Sequence, residues 1–426
     1  MRLFVTLLLV SVIILLSAFV LDNMPPKTEE DIPPSEDEYI AVNYENVKAM
    51  WLSQYDLLPV YTDKGAQRSE ADFRERIKDV LENVCGLGIN TVFVQIRPFA
   101  DSFYPSDVYP VSSYVSGDYG KGIAYDPFEI ILEEGHTLGL SVHAWINPLR
   151  AMRETEIESV ADAYKIKEWY NDPSKKGRYI VSVSGRWYLN PAYGEVRALV
   201  SSGVLEIVQK YNVDGVHIDD YFYPTTDERF DKYAYQSYVS RGGELSLADF
   251  RRENINSLVR ELYTAVKSEN ESMLFGVSPA GNMKNNYNEL YADVAVWCEN
   301  EGYIDYLCPQ IYFGFEHSTC AFDKLCEEFS EMIKLDGIKL IFGMSLGKAK
   351  SGYDQYAGDG KYEWRDNKDV LYRQLKYTET IGNCSGVSYF CYQYFYDMLT
   401  GERVDETAAE VDKFIPLLKT ISWSEK

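Results

Sequence analysis

The sequence has little of what a metal centre in a protein requires. It contains four histidines, none of them in an HExxH spacing, and seven cysteines, none of them in a CxxC pair. Zinc sites usually show such short ligand spacings, so we predict no metal site and no other cofactor. The odd number and wide spacing of the cysteines favour buried thiols over a disulfide framework, although one or two disulfide bonds stay open for an exported protein.

Clusters of basic residues are also lacking along the chain. Lys and Arg number 42 against 66 Asp and Glu, which gives a formal net charge of −24. Because the phosphates of nucleic acids bind to positively charged surfaces, we expect no nucleic-acid partner.

Aromatic residues, by contrast, are plentiful. They make up 14% of the chain, with 35 Tyr and 7 Trp. Flat rings stack on the faces of sugars, and the same rings also pack in protein cores. The composition therefore favours a carbohydrate-binding cleft only slightly.

The first 39 residues show no pattern of a folded domain. Residues 3–21 are uncharged and long enough to match a bilayer core, so residues 1–22 are predicted to be a signal anchor or, as the second alternative, a cleaved signal peptide. Residues 23–39 are acidic and proline-rich, which is typical of a disordered linker. We therefore expect an exported protein, held at the extracellular face of the membrane or secreted to the cell wall, whose folded domain covers residues 40–426.

From residue 40 onward, short apolar runs alternate with amphipathic helical patterns. Eight strands are predicted, over residues 49–56, 91–98, 140–148, 214–222, 274–279, 303–313, 339–346 and 386–394. Helices are predicted after them, over residues 73–88, 126–139, 194–210, 248–268, 287–301, 322–335, 371–381 and 408–420. This order predicts an α/β fold, a (β/α)₈ barrel with enlarged loops after the strands. A doubly wound open sheet is the alternative, but no glycine-rich phosphate turn follows the first strand.

The fourth predicted strand ends in two adjacent acids, in the sequence GVHIDDYFYP of residues 215–224. Ionised carboxylates are costly to bury without partners, so this strand is expected to deliver them to a wet cleft; the alternative is a strand-end cap or an ion pair with an Arg. Because side chains alternate along a strand, His217, Asp219 and Tyr221 share one face. We expect Asp219 to point into the barrel and Asp220 to act where the strand ends.

Several separated segments resemble one family. The segments VQIRPFADSFYPS, HAWINPLR, WYLNPAYGEVR, DGVHIDDYFYP and YLCPQIYF occur in this order within residues 46–400. Together they resemble the glycosyl-hydrolase-like family 10 of bacteria. The resemblance implies a TIM-barrel glycoside hydrolase that is often exported and that acts on a cell-wall glycan, with peptide-free peptidoglycan strands as the expected substrate.

The segment DGVHIDDY also resembles the DGxDxDxE strand of family 18 chitinases. Asp214, His217, Asp219 and Tyr221 stand at its four marked positions. Tyrosine replaces the proton-donating glutamate of those enzymes, so their mechanism does not transfer without another acid. Glycoside hydrolysis generally needs two carboxyl groups, and Glu316 and Asp101 are further candidates, each of which is also explained as a solvated loop charge.

Our leading hypothesis is a glycoside hydrolase with Asp219 as the principal catalytic carboxyl group and Asp220 as its partner. Other polar and aromatic residues at the strand ends are predicted to hold the sugar: Arg97, His143, Trp145, Asn147, His217, Tyr221, Gln310, Tyr312 and Glu316. For His143 and Trp145, core packing is an equal alternative, whereas Asn147 and Gln310 would be costly to bury without hydrogen bonds. Two other functions stay open, a non-catalytic carbohydrate-binding protein of the cell wall and a hydrolase of another extracellular polysaccharide.

Overall fold

Eight parallel strands close into a barrel in the computed structural model, which describes residues 39–423. Each strand pairs with its neighbours along the chain, and the last pairs with the first. The strands are β1 (Val47–Leu52), β2 (Thr91–Arg97), β3 (Ser141–Ile146), β4 (Gly215–Ile218), β5 (Leu274–Val277), β6 (Tyr306–Leu307), β7 (Lys339–Ser345) and β8 (Cys384–Phe390). The predicted (β/α)₈ architecture is confirmed.

Helices connect the strands around the outside of the barrel. Those of nine or more residues are Glu70–Gly86, Pro127–Thr137, Gly194–Lys210, Lys232–Ser240, Leu247–Glu269, Phe322–Met332, Val370–Thr378 and Asp405–Thr420. Shorter helices are Gln54–Tyr61, Ser113–Ser116, Lys165–Asn171, Met283–Asn288, Val294–Glu299, Gly347–Ser351 and Glu363–Asp366, with 3₁₀ turns at Ile157–Ser159, Gly358–Tyr362 and Tyr392–Tyr394. The local sequence determines where several helices begin. At the helix Pro127–Thr137, Asp126 accepts hydrogen bonds from the backbone N–H groups of Phe128 and Glu129, and proline occupies the first helical position.

The first predicted strand and the helix predicted over residues 287–301 both differ from the structure. The first strand was expected over residues 49–56 but ends at Leu52, because Ser53 and Asp56 form a capping box that begins a helix at Gln54. The helix expected over residues 287–301 is two short helices, Met283–Asn288 and Val294–Glu299. Tyr291 lies between them with a left-handed φ of 55°, which no helix accommodates.

An antiparallel sheet of three short strands interrupts the chain between β3 and β4. Its strands are Arg150–Arg153, Ile180–Val183 and Arg186–Leu189, with the last in the middle. Because the first of these strands starts four residues after β3 ends, it stands close to the carboxyl end of the barrel. The sheet is one of the enlarged loops that the sequence predicts.

The interior of the barrel is packed with aromatic rings. Trp51, Phe93, Trp145 and Tyr306 belong to one buried cluster, and the Phe93 ring stacks on that of His217 with centroids 4.1 Å apart. A side chain at Gly276 would place its Cβ 2.0 Å from the Tyr306 ring. The glycine therefore makes room for a large ring inside the barrel.

The predicted membrane segment at residues 1–22 lies outside the described residues, as does the predicted linker at 23–39 apart from Tyr39. Among residues 39–423, none of the helices combines the length and the hydrophobicity needed to cross a bilayer. All seven cysteines fall within this range as free thiols; six are buried and Cys85 is half-buried. The disulfide bonds that the sequence left open are not formed.

Candidate active site

A cavity of about 290 Å³ opens at the carboxyl ends of the strands, where a barrel of this kind places its chemistry. Two acids, one guanidinium and several amides and aromatic rings form its walls. They are Trp51, Ser53, Gln54, Tyr55, Gln95, Trp145, Arg150, Asp219, Asp220, Tyr221, Gln310, Tyr312 and Phe390. We call this cavity the acid cleft.

Asp219 is buried in the wall of the acid cleft and is held by three donors. Its Oδ2 accepts hydrogen bonds from the Trp145 indole N–H, at 3.1 Å, and from the Asn147 side-chain amide. Its Oδ1 accepts from the backbone N–H of Tyr221 at 3.3 Å. Burial, together with the neighbouring charge of Asp220, raises the pKa of Asp219 well above its usual value.

Asp220 is half-buried and faces the same cleft. Its Oδ1 accepts a hydrogen bond from the Gln310 side-chain amide at 3.2 Å, while that amide also donates to the Ser278 carbonyl at 3.0 Å. Burial raises the pKa of Asp220 as well. Two neighbouring carboxyl groups whose pKa values are both raised titrate as a coupled pair, in steps that belong to the pair as a whole.

A second cavity, of about 500 Å³, continues from the acid cleft. Asp220, Gln310 and Tyr312 line both cavities and form their boundary. The other walls of this second compartment are Ala280, Gly281, Asn282, Asn285, Phe313, Lys348, Tyr353, Asp354, Gln355 and Tyr356. Side-chain amides and exposed tyrosine rings are the groups with which proteins bind sugars, through hydrogen bonds and stacking.

His217 and His143 form a hydrogen-bonded chain in the barrel interior and do not line the acid cleft. The Trp51 indole N–H donates to His217 Nε2 at 3.1 Å, so that nitrogen is an acceptor and Nδ1 carries the proton. His217 Nδ1 lies 2.9 Å from the Tyr306 hydroxyl, which lies 3.0 Å from His143 Nδ1, and His143 Nε2 meets Ser141 Oγ at 3.2 Å. Both histidines, predicted to bind sugar, thus make core contacts instead.

The two imidazoles are neutral in these surroundings. Burial lowers the pKa of His143 to about 4 and lowers that of His217 well below its usual value. A satisfied, uncharged chain of this kind fixes the rings in place. The chain supports the barrel beneath Trp145 and Asp219.

Arg97 is displaced from the position that the sequence predicts for it. Its guanidinium lies 4.6 Å from the centre of the Tyr109 ring, and a Cβ at Gly203, in the helix Gly194–Lys210, would fall 2.2 Å from its Nη1. The pairing of β2 with β3 is irregular between Gln95 and Arg97, which breaks the alternation that would put both side chains on one face. Gln95 lines the acid cleft, whereas Arg97 packs between the barrel and its helices.

Neither of the additional acids reaches the cleft. Glu316 is exposed, and its backbone N–H donates to Glu363 at 2.9 Å. Asp101 is buried away from the cavity; it accepts hydrogen bonds from the Phe99 backbone N–H and the Tyr119 hydroxyl, and burial raises its pKa to about 6. The acid pair of the cleft is therefore Asp219 and Asp220.

Arg150 is the charged cleft residue that the sequence analysis did not single out. Its guanidinium lies between two rings, 4.4 Å from the centre of Tyr221 and 4.8 Å from that of Phe99. The positive charge lowers the pKa of both Asp219 and Asp220, against the larger effect of burial. Arg150 is the last residue of the segment HAWINPLR, close behind the end of β3, and this position is the signal that marks it.

The structure brings together most of the predicted set. Asp219, Asp220, Trp145, Tyr221, Gln310 and Tyr312 line the acid cleft, and Asn147 contacts Asp219 from behind. Burial raises the pKa of Tyr221 to about 12, so its phenol stays neutral. Among residues 39–423, no group of three His, Cys, Asp or Glu side chains is arranged to hold a metal ion.

This acid cleft belongs to a chain whose residues 46–357 match the profile of the family described as glycosyl hydrolase-like 10. The chain belongs to the glycosyl hydrolase-like 10 family. It is 31% identical to glycosyl hydrolase YngK of Bacillus subtilis (strain 168) over 362 residues, which covers 81% of this chain and 68% of that protein. It is 30% identical to glycosyl hydrolase DigH of Escherichia coli (strain K12) over 383 residues, which covers 84% of this chain and 85% of that protein.

Solved structures agree with the fold. The PgaB (BpsB) glycoside hydrolase domain from Bordetella bronchiseptica superposes with a TM-score of 0.55 at 13% sequence identity, over 86% of this chain and 98% of that domain. As a member of the glycosyl hydrolase-like 10 family, the protein is a glycoside hydrolase. This favours hydrolysis over the alternative of a carbohydrate-binding protein without catalysis.

Proposed function

We propose that the protein hydrolyses glycosidic bonds in a cell-wall glycan, namely peptide-free peptidoglycan strands, with Asp219 and Asp220 as the catalytic carboxyl groups. The observation that carries this proposal is that both acids line the acid cleft with raised pKa values. An acid and a carboxylate are the two groups that glycoside hydrolysis requires.

In this mechanism Asp219 carries the proton. Burial raises the pKa of both groups, and for Asp219 the charge of Asp220 acts in the same direction. Oδ2 of Asp219 is occupied by Trp145 and Asn147, so the proton resides on Oδ1. The carboxylate of Asp220 is fixed by Gln310 at the boundary of the two compartments.

Bond cleavage follows from this arrangement. Asp219 donates its proton to the glycosidic oxygen as the bond to the anomeric carbon breaks, and the bonding electrons leave with that oxygen. The Asp220 carboxylate stabilises the positive charge that develops on the sugar, and it either takes a proton from the attacking water or bonds to the anomeric carbon until water displaces it. One water is consumed, and the pair regains its single proton.

The extended shape of the site supports a polymeric substrate. The acid cleft and the second compartment meet at Asp220, so sugars on both sides of the scissile bond have a place to bind. Trp145, Tyr221 and Tyr312 offer rings to the sugar faces. The predicted N-terminal export segment places the enzyme outside the membrane, where such a glycan would be available.

The deciding experiment is a mass analysis of products from purified peptide-free glycan strands, incubated in ordinary and in ¹⁸O-labelled water. We expect shorter glycans that gain one ¹⁸O at the new reducing end, and we expect Asp219→Asn to release none above background. If the glycan strands stay intact while an α-glucan or a secreted exopolymer is cleaved, the substrate is another extracellular polysaccharide and the proposed substrate is wrong.

A further inference from the structure

We infer that Arg150 is a carboxylate-binding subsite, so that the glycan cleaved by this enzyme carries an acidic group on a sugar bound in the acid cleft. The inference rests on the proposed function and adds to it a chemical requirement on the substrate. It starts from a guanidinium that lines the acid cleft beside Asp219 and Asp220.

Arg150 is held in place by stacking and not by an acid. The rings of Tyr221 and Phe99 fix the plane of its guanidinium, at 4.4 and 4.8 Å from their centres. Its Nε is buried and has no hydrogen-bond partner among residues 39–423. The rings thus preorganise a planar fork of N–H donors, and that fork lacks an acceptor.

A second guanidinium, that of Arg186, adds positive charge close to Arg150. Arg186 lies against the same Phe99 ring, 4.3 Å from its centre, and donates to the Ala151 carbonyl at 2.6 Å. Within the described part of the chain, neither Arg150 nor Arg186 forms an ion pair with an acid. Burial and the charge of Arg150 lower the pKa of Arg186, so the two like charges repel each other in partly buried surroundings.

The guanidinium groups beside the cleft favour an anion as their partner. Arg150 lines the acid cleft and Arg186 packs against the same Phe99 ring, so two positive charges lie close together. Glu156 and Arg153 also act on Arg186, in opposite senses. A carboxylate matches the guanidinium fork through two parallel hydrogen bonds, whereas a neutral sugar hydroxyl does not neutralise the charge.

A peptide-free peptidoglycan strand carries this group. The lactyl carboxyl of its muramic acid is an amide while a peptide is attached and becomes a free carboxylate when the peptide is removed. If Arg150 binds that carboxylate, we expect a stripped strand to bind better than a peptide-bearing one. Any other polymer of acidic sugars satisfies the same requirement.

The test compares binding of two forms of one glycan to the Asp219→Asn protein by calorimetry. One form is a peptide-free strand, and the other is the same strand with its carboxyl groups reduced to alcohols. We expect reduction to weaken binding at least about tenfold, which is the size of a hydrogen bond to a charged group. In the Asp219→Asn, Arg150→Gln double variant, both forms bind equally.

Two further variants make the result specific. Arg150→Lys keeps the charge but lacks the planar fork, so it retains only part of the discrimination. Arg178→Gln removes an exposed arginine that lies over Tyr233, outside the acid cleft. This variant should retain the full discrimination between the two glycan forms. Equal affinity of the Asp219→Asn protein for both forms, or discrimination that survives Arg150→Gln, would overturn the inference and leave the proposed function standing. Absence of binding to either form would overturn the proposed function itself.

Discussion

The indole N–H of Trp145 donates a hydrogen bond to Asp219 across the boundary between β3 and β4, at 3.1 Å. The two strands pair with Trp145 opposite His217, two residues before Asp219. An indole is a donor only, so this contact orients the carboxyl group and lowers its pKa against the effect of burial. Trp145 is thus a positioning residue for the proposed catalytic pair.

Replacing Asp219 tests the catalytic assignment. Asp219→Asn removes the proton donor but preserves an acceptor for Trp145 and Asn147. We expect kcat on glycan strands to fall by about 10²- to 10⁴-fold, the usual contribution of a positioned acid. The unfolding midpoint should stay close to that of the wild type, since the buried donors of Trp145 and Asn147 keep an acceptor. Wild-type turnover in this variant would remove Asp219 from the mechanism.

The pH dependence follows from the two raised pKa values. Activity should fall at high pH, as Asp219 loses its proton, and at low pH, as the Asp220 carboxylate gains one. Both limbs of the kcat/KM profile should lie above the usual pKa of an aspartate, and they belong to the pair as a whole. A low-pH limb at the ordinary aspartate value would contradict the raised pKa of the Asp220 carboxyl group.

Replacing single residues around Asp219 and Asp220 should shift the two limbs of the kcat/KM profile along the pH axis. Arg150→Gln removes a positive charge that lowers both pKa values, so both limbs move to higher pH. Trp145→Phe removes a hydrogen bond that lowers the pKa of Asp219, so the high-pH limb moves to higher pH. Arg178→Gln, outside the cleft, is the control and should leave the profile unchanged.

Substrate length tests the second compartment. Tyr356 is 75% exposed at its wall, and stacking of such a ring is worth about 0.5–1.5 kcal/mol. We expect Tyr356→Ala to raise KM for long strands by about two- to tenfold and to leave the cleavage of a short aryl glycoside unaffected. Tyr233→Ala, which removes a ring that is 51% exposed elsewhere, should change neither. An equal loss on both substrates would show that the compartment does not bind sugar.

A buried ion pair provides a test of the stability of the fold. Arg251 donates to both oxygens of Asp231, at 2.8 and 2.7 Å, and both side chains are fully buried. Asp231→Asn leaves the guanidinium uncompensated and should cost about 3–5 kcal/mol in the free energy of unfolding. The exposed pair of Asp227 with Arg229 is the matched control, and Asp227→Asn should leave the denaturant midpoint unchanged.

Hydrophobic periodicity was sufficient to predict the barrel architecture. Each strand of a closed parallel barrel is buried on both faces, so it appears in the sequence as a short apolar run. The acid pair was also predictable, since two acids that end such a run must reach solvent or partners. The sixth strand was harder: residues 303–313 were expected, but only Tyr306–Leu307 form a strand, with an isolated bridge at Gln310.

Side-chain direction at the strand ends could not be predicted in the same way. Regular alternation of side chains along β2 would put Arg97 and Gln95 on one face of the strand. An irregularity in the pairing of β2 with β3 separates them. Arg150 lies beyond its strand, where alternation has no meaning, and only the folding of the inserted sheet brings it to Asp219 and Asp220. The polar residues His143 and His217 satisfy each other through Tyr306, a contact between strands that are distant in sequence.

The uncharged chain through Tyr306 has a consequence for the electric field under the catalytic pair. Since the pKa of His143 is about 4 and that of His217 lies well below its usual value, neither ring gains a charge near neutrality. Imidazoles are the groups by which proteins commonly sense small changes in acidity, and here their surroundings make them inert. These two rings consequently leave the potential beneath Asp219 and Asp220 unchanged near neutral pH.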